Sequence, residues 1–252
     1  MQFRSAGQVI IDYDVWGVGA PVMLIHGFAS NAQVNWVNTG WVKTLNQSGY
    51  QAITFDNRGH GQSGKLYDPS EYDPQVMAED AKNLAHHLNH RRIAVIGYSM
   101  GARIAARLTI HHPELISAAV FAGLAATMMT GFSDAERIAL ALEAETSGET
   151  TDAAARNYRT FAEQTGSDLK ALAACMRASR QAIRAEELGR IKAPVLVVAG
   201  SKDVTAGPVE PLVKAIPNAR GIVLPGRDHM KAVGDRMFKD EVIKFLKSVP
   251  VL

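Results

Sequence analysis

The sequence predicts an α/β fold built on a doubly wound, mostly parallel sheet, with one helical insertion before the last strands. Three observations carry that expectation. Runs such as Val22–Ile25, Ile93–Ile96 and Val195–Ala199 are almost continuously aliphatic, as strands buried on both faces of a parallel sheet must be. These runs alternate with helix-length amphipathic stretches, the signature of repeated β–α units. The alternation then stops between Ala125 and Arg190, where apolar residues recur only at helical spacing.

Taken in order, strands are expected at Val9–Val15, Val22–Ile25 and Ala52–Phe55, then at Ile93–Ile96 and Ala118–Phe121. Val195–Ala199 and Gly221–Leu224 complete the set. Helices are expected between them at Val34–Gln47, Gln75–Leu88, Gly101–His111, Val209–Ala215 and Arg236–Lys247. Within the insertion, Ala135, Ile138, Ala139 and Leu142 make one helical stripe, and Ser133 with Glu136 reads as a capping box at its start. Leu169, Leu172, Ala173 and Met176 make another. The chain therefore divides into a core, 1–124 and 191–252, and a cap of roughly three helices, 125–190.

Composition excludes several functional classes. The chain has 252 residues, of which 47% are hydrophobic and 21% charged, enough to build a sizeable core and too apolar for disorder. Lys plus Arg number 27 against 25 Asp plus Glu, so no strong basic excess points to nucleic acid. The single cysteine, Cys175, excludes an intrachain disulfide scaffold and reads as a small buried filler. The N-terminal stretch lacks the apolar run of a signal peptide. The long uncharged run Leu115–Ser133 is too rich in Ala, Gly, Ser and Thr to read as a membrane span. A cytoplasmic protein is expected.

The chemistry concentrates at strand ends. Gly97-Tyr98-Ser99-Met100-Gly101 joins an expected strand directly to an expected helix. A sharp strand-to-helix turn exposes a serine hydroxyl, and the glycines let neighbouring backbone approach. The helix N-terminus then turns N–H groups toward developing negative charge. A serine needs a base to take its proton, and the base needs an acid to fix its tautomer. Asp203 follows the strand at Val195–Ala199 and His229 follows the strand at Gly221–Leu224, giving nucleophile, acid and base in that order. Asp228 is the rival acid, but as the neighbour of His229 in sequence it is awkwardly placed to pair with it. For the oxyanion, the candidate donors are the backbone N–H groups of Met100 and Phe28, the latter in the His26-Gly27-Phe28 turn.

These segments resemble the serine hydrolases of the α/β-hydrolase superfamily along nearly the whole chain. The resemblance rests on LIHGF at 24–28, FDNRGHGQS at 55–63, GYSMG at 97–101, GSKD at 200–203 and DH at 228–229. It implies an eight-stranded sheet with Ser99 as nucleophile, Asp203 as acid, His229 as base, and Phe28 and Met100 at the oxyanion hole. Many relatives carry a second glycine after the elbow; here the position is Ala102.

Other motifs have plainer readings. Gly59–Gly64 spells G-x-G-x-x-G after a strand, but the prolines that follow deny the helix a dinucleotide site requires. His86 and His90 stand four apart on an expected helix without a further ligand, so a solvated face is expected. His111 and His112 end a helix and suit its dipole. Trp36, Met128 and Met129 are candidate walls of a substrate pocket, with plain core packing as the competing reading for them and for Trp41.

The function expected is hydrolysis of a small carboxylic ester, thioester or lactone, without cofactor or metal, through an acyl group on Ser99. C–C bond hydrolases, amidases and perhydrolases use the same residues. A ligand receptor of low turnover on the same scaffold is the alternative from another class. No nucleic-acid or membrane partner is expected, and the oligomeric state is open. The Ala-rich stripes of the cap predict a compact lid and short acyl groups.

Overall fold

The structure, a computed structural model, describes residues 1–146, 152–178 and 181–249. Among the described residues eight strands form one sheet: β1 (Gln2–Arg4), β2 (Ile10–Trp16), β3 (Ala20–Ile25), β4 (Tyr50–Phe55), β5 (Ile93–Tyr98), β6 (Ile116–Ala122), β7 (Val195–Gly200) and β8 (Ala219–Leu224). Their spatial order is β1-β2-β4-β3-β5-β6-β7-β8. From β4 onward all neighbours are parallel, while β1 and β2 add an antiparallel edge. All seven expected strands form. β1 was not expected, because three residues with one apolar side chain carry no readable period.

The helices are α1 (Trp41–Gln47), α2 (Pro74–His87), α3 (Met100–His111), α4 (Thr127–Thr130), α5 (Ala135–Glu143), α6 (Ala153–Gln164), α7 (Leu169–Arg177), α8 (Ala185–Leu188), α9 (Glu210–Ala215), α10 (His229–Ala232) and α11 (Arg236–Ser248). Alternation along the central strands feeds two cores. Met23, Ile25, Val95, Val197 and Ala199 face one cluster with α2 and α3. Val22, Leu24, Ile96, Leu196 and Val198 face the other, with Trp41 and Phe238. Both faces are covered, which is why the strands read as unbroken apolar runs.

Three local expectations are corrected. The helix expected over Val34–Gln47 is broken into a π-helical turn, Gln33–Val37, and α1. Gly40, at φ +81°, turns the chain between them. Ser133 caps nothing: α5 starts one residue later, behind Asp134, without a side-chain cap, and Glu136 instead meets Arg177. His90 lies beyond the end of α2, so it and His86 do not share a helix face.

Between β6 and β7 the described chain is helical, with α5, α6 and α7 packed on one another; residues 147–151 and 179–180 of this segment lie outside the described residues. Ile138, Leu142 and Leu172 are almost wholly buried there, each contributing about 1.5–3 kcal/mol of transfer free energy. Arg159 donates to the carbonyls of Ala141, Leu142 and Ala144 at the end of α5. Arg177 joins Glu136 and Glu143. No helix among the described residues is long and apolar enough to cross a membrane.

Candidate active site

The strand order places the site. After β3 the chain moves one way to β4, then returns past β3 to β5 and continues outward. The carboxyl ends of β3 and β5 therefore flank the point where the winding reverses, where a crevice must open. The turn after β3 carries His26–Ser30 and the turn after β5 carries Ser99. A Cβ added to Gly27 would stand 3.4 Å from Ser99 Cβ, so the two turns touch.

Ser99 holds φ +54° and ψ −115°, a strained backbone for a side-chain-bearing residue, costing on the order of 1–3 kcal/mol. The surroundings enforce it. A Cβ on Gly97 would collide with the Gly101 carbonyl, and one on Gly101 with the Ile25 carbonyl; only glycine lets β3, β5 and α3 come this close. The Ser99 N–H is held by the Ala122 carbonyl at 2.8 Å. Met100 opens α3, so its N–H belongs to the first turn, whose donors have no acceptor within the helix.

His229 Nε2 lies 3.1 Å from Ser99 Oγ. Its Nδ1 lies 2.9 and 3.0 Å from the two carboxylate oxygens of Asp203. The Asp203 side chain is fully buried and also accepts the Ala206 N–H at 2.9 Å. With Nδ1 donating to the carboxylate, Nε2 is left to accept from the serine hydroxyl. Asp228 has a different job: it caps α10, accepting the N–H groups of Met230 and Lys231 at 3.1 and 2.8 Å. Tyr98, which sequence reasoning missed, donates its hydroxyl to the His229 carbonyl at 2.6 Å. Burial, and then the nearby charges of Asp203 and Asp228, push the Tyr98 phenol far above its usual range, so it remains a donor. Its place just before Ser99 is the only trace of this role in the sequence.

The β3 turn is tied down equally firmly. Asn57 N–H donates to His26 Nε2 at 2.9 Å, and His26 Nδ1 sits 2.8 Å from the Gly27 carbonyl. Full burial lowers the His26 pKa, in keeping with a neutral ring protonated at Nδ1. Asn35 Oδ1 accepts the Gly27 N–H at 3.1 Å; the π-helical turn presents that side chain, as such one-residue expansions do at functional sites. Gly61, at φ +47°, leaves no room for a Cβ beside the Asp56 carboxylate, which accepts the N–H groups of Ala32 and Gln62. The glycine-rich 59–64 segment is thus a structural turn, and the next α-helix begins only at Pro74. Behind it, Arg58 and Asp80 form a two-pronged buried ion pair at 2.7 and 2.9 Å.

Two candidate pocket residues need correction. Trp36 has no exposed surface and packs edge-on against Trp41 in the core on one side of the sheet. Met128 is equally buried, in the cluster that holds Phe28 and Met100. Only Met129, half-buried on α4, keeps surface to offer. Cys175 is buried with its sulfur 3.9 Å from that of Met100. A cavity of about 660 Å³ opens elsewhere, lined in part by Tyr67, Leu142, Arg159, Leu169 and Arg177; none of Ser99, Asp203 and His229 borders it.

A family model for the alpha/beta hydrolase fold matches residues 20–172. The chain belongs to the alpha/beta hydrolase fold family. Among family members, BpoC of Mycobacterium tuberculosis, named as a non-heme bromoperoxidase, is 30% identical over 245 residues, covering 86% of this chain and 90% of that one. An esterase of Exiguobacterium antarcticum shares the fold with a TM-score of 0.82 at 20% identity, covering 98% of this chain and 99% of that one. The enol-lactonase of Burkholderia xenovorans LB400 gives 0.80 at 21% identity, covering 98% and 100%. Hydrolysis is the activity that membership of this hydrolase family supports.

Proposed function

We propose that this alpha/beta hydrolase is a serine hydrolase that cleaves small carboxylic esters, thioesters or lactones through an acyl-enzyme on Ser99. The observation that carries the reading is the hydrogen-bonded series from Ser99 Oγ through His229 to the buried Asp203. His229 takes the hydroxyl proton as Ser99 Oγ attacks the carbonyl carbon. The N–H groups of Phe28 and Met100 receive the oxyanion. His229 then returns the proton to the leaving oxygen or sulfur, and in the second half activates the water that releases the acid. In this reading Asp203 holds the ring in the tautomer whose Nε2 faces Ser99 and stabilises the imidazolium that forms during attack.

The inserted helices, 125–190, act in this reading as a cap that limits the acyl group, with Met129 as one wall. The names of the esterase and enol-lactonase neighbours favour esters and lactones. The likeness to BpoC favours a second reading, perhydrolysis, in which hydrogen peroxide replaces water as the acyl acceptor and a peracid leaves. The substrate class, like a cytoplasmic setting, belongs to the proposal. A panel of nitrophenyl esters, thioesters and lactones, assayed with and without peroxide, tests it. Turnover with an initial burst of nitrophenol is the expected result; binding without turnover across the panel would make the protein a receptor.

A further inference from the structure

The turn that offers Phe28 to the oxyanion is gripped from two sides, and one grip comes from the inserted helices. Gly27 and Ser30 close it, with the Ser30 N–H 3.3 Å from the Gly27 carbonyl. Its third residue, Ala29, has φ +56°, a position that turns normally give to Gly or Asn. A side-chain-bearing residue stays there only where its surroundings over-determine it. From the core side, Asn35 holds the Gly27 N–H, and His60 lies edge-on to the Phe28 ring at 5.8 Å. From the other side, Tyr158 of α6 meets the same ring at 6.0 Å. Thr165, the C-cap of α6, lies with its Oγ1 2.8 Å from the Ala29 carbonyl.

The geometry points to Thr165 as a positioning residue for the oxyanion hole, acting from the inserted helices on the turn that carries the Phe28 N–H. A hydroxyl has one proton to donate. Of the two carbonyls within reach, Ala29 at 2.8 Å is nearer than Ala162 at 3.0 Å. The Ser167 hydroxyl, 2.9 Å away, supplies its own proton to Thr165, so the series runs Ser167 to Thr165 to Ala29. The carbonyl so held belongs to the one residue of the turn at positive φ. Fixing it keeps the turn in the conformation that aims Phe28 N–H past Gly27 toward Ser99. The helices that select the substrate thereby also hold part of the machinery that stabilises charge, and the two tasks separate kinetically. A contact to the acyl chain changes KM and chain-length preference. A contact that aims an oxyanion donor changes kcat by one factor for every acyl group.

This inference rests on the acyl-transfer reading above, and the test keeps the two apart. Full-length wild type, Thr165→Val, Thr165→Ser and Tyr158→Leu are assayed on nitrophenyl acetate, butyrate and hexanoate, with labelling of Ser99 by a fluorophosphonate alongside. Circular dichroism and melting temperature show which variants are folded at the assay temperature. Thr165→Val should lose about five- to tenfold in kcat by the same factor on all three esters, with KM unchanged, and label more slowly. Thr165→Ser should restore the wild-type values. Tyr158→Leu should show the same pattern, and decides the matter if the valine variant does not fold. An unchanged kcat, or a loss confined to KM or to one chain length, overturns the positioning role. Wild type inert toward all three esters and the fluorophosphonate overturns the acyl-transfer reading itself.

Discussion

Two regions of the molecule are specified by different physics. At the carboxyl ends of the strands Ser99, Asp203 and His229 are held by crowded backbone and buried hydrogen bonds. Ser99 stands on a strained elbow that two glycines make sterically possible, and Asp203 is fully buried and doubly bonded. The inserted helices are held by generic apolar stripes and by a few polar ties to the core. Arg103 donates to the carbonyls of Thr127, Met128 and Gln181 where the chain enters and leaves them, and Thr165 reaches Ala29. The chemistry depends on positions where one atom too many collides. If the inserted helices select the substrate as proposed, that selectivity rests on a surface that tolerates exchange of one apolar residue for another.

If that contrast is right, substitutions in the first region should be ruinous and specific. Asp203→Asn should lower kcat by about 10⁴, because a carboxamide favours the wrong imidazole tautomer, with little change in melting temperature. Asp228→Asn should cost only a few-fold, since Asn caps a helix as well as Asp does. Steady-state kinetics on one ester compares them, and equal effects would dissolve the distinction between the two acids.

The framework behind the 59–64 turn offers the largest effect on stability. Asp80 pairs Arg58 where both are almost wholly buried. Asp80→Ala leaves the buried guanidinium with only the more exposed Glu71 as partner and should cost about 3–5 kcal/mol in denaturant unfolding. A loss near zero would mean that water replaces the carboxylate.

How much of this was legible in the chain follows the same division. That Ser99, Asp203 and His229 come together is legible because each follows an apolar run whose end is marked by glycine, and turns at strand ends are read locally. The roles of Tyr98 and Asn35 are not, because they depend on partners 131 and 8 residues away that no period announces. The break at Gly40 is hidden by apolar spacing that runs through it, although the glycine itself is the signal. Trp36 reads either as pocket wall or as core, because an aromatic near a site motif does not reveal which face of the sheet it serves. In the insertion, the stripes on α5 and α7 were plain, whereas the cap residue Asp134 was displaced by one position from the motif expected at Ser133.

Smaller effects sharpen the contrast from the other side. Met129→Ala should shift kcat/KM toward longer acyl chains by about tenfold or less, measured along nitrophenyl esters from acetate to palmitate, with kcat on the acetate little changed. An unchanged profile would remove Met129 from the acyl wall. Smallest is a surface term. Burial raises the Glu79 carboxyl, but hydrogen bonds from Lys82 and His112 outweigh it and hold the pKa at about 2, against an ordinary 4.5. A carboxyl lowered by folding adds stability above 4.5 that is lost as the pH falls toward 2. Since Glu79 is partly exposed, solvent and salt reduce the effect. Glu79→Gln should therefore flatten the acid side of the melting curve slightly, and more visibly at low salt.

Whether Ser99 is the nucleophile, as proposed, is open to one direct measurement. Wild type and Ser99→Ala are treated with a fluorophosphonate, digested and mapped by mass spectrometry, with ester turnover followed in the same samples. A single adduct on Ser99 is expected, with loss of turnover in step with labelling and an alanine variant that is folded, unlabelled and inactive. An adduct on another residue, or an alanine variant that still turns over esters, would contradict it.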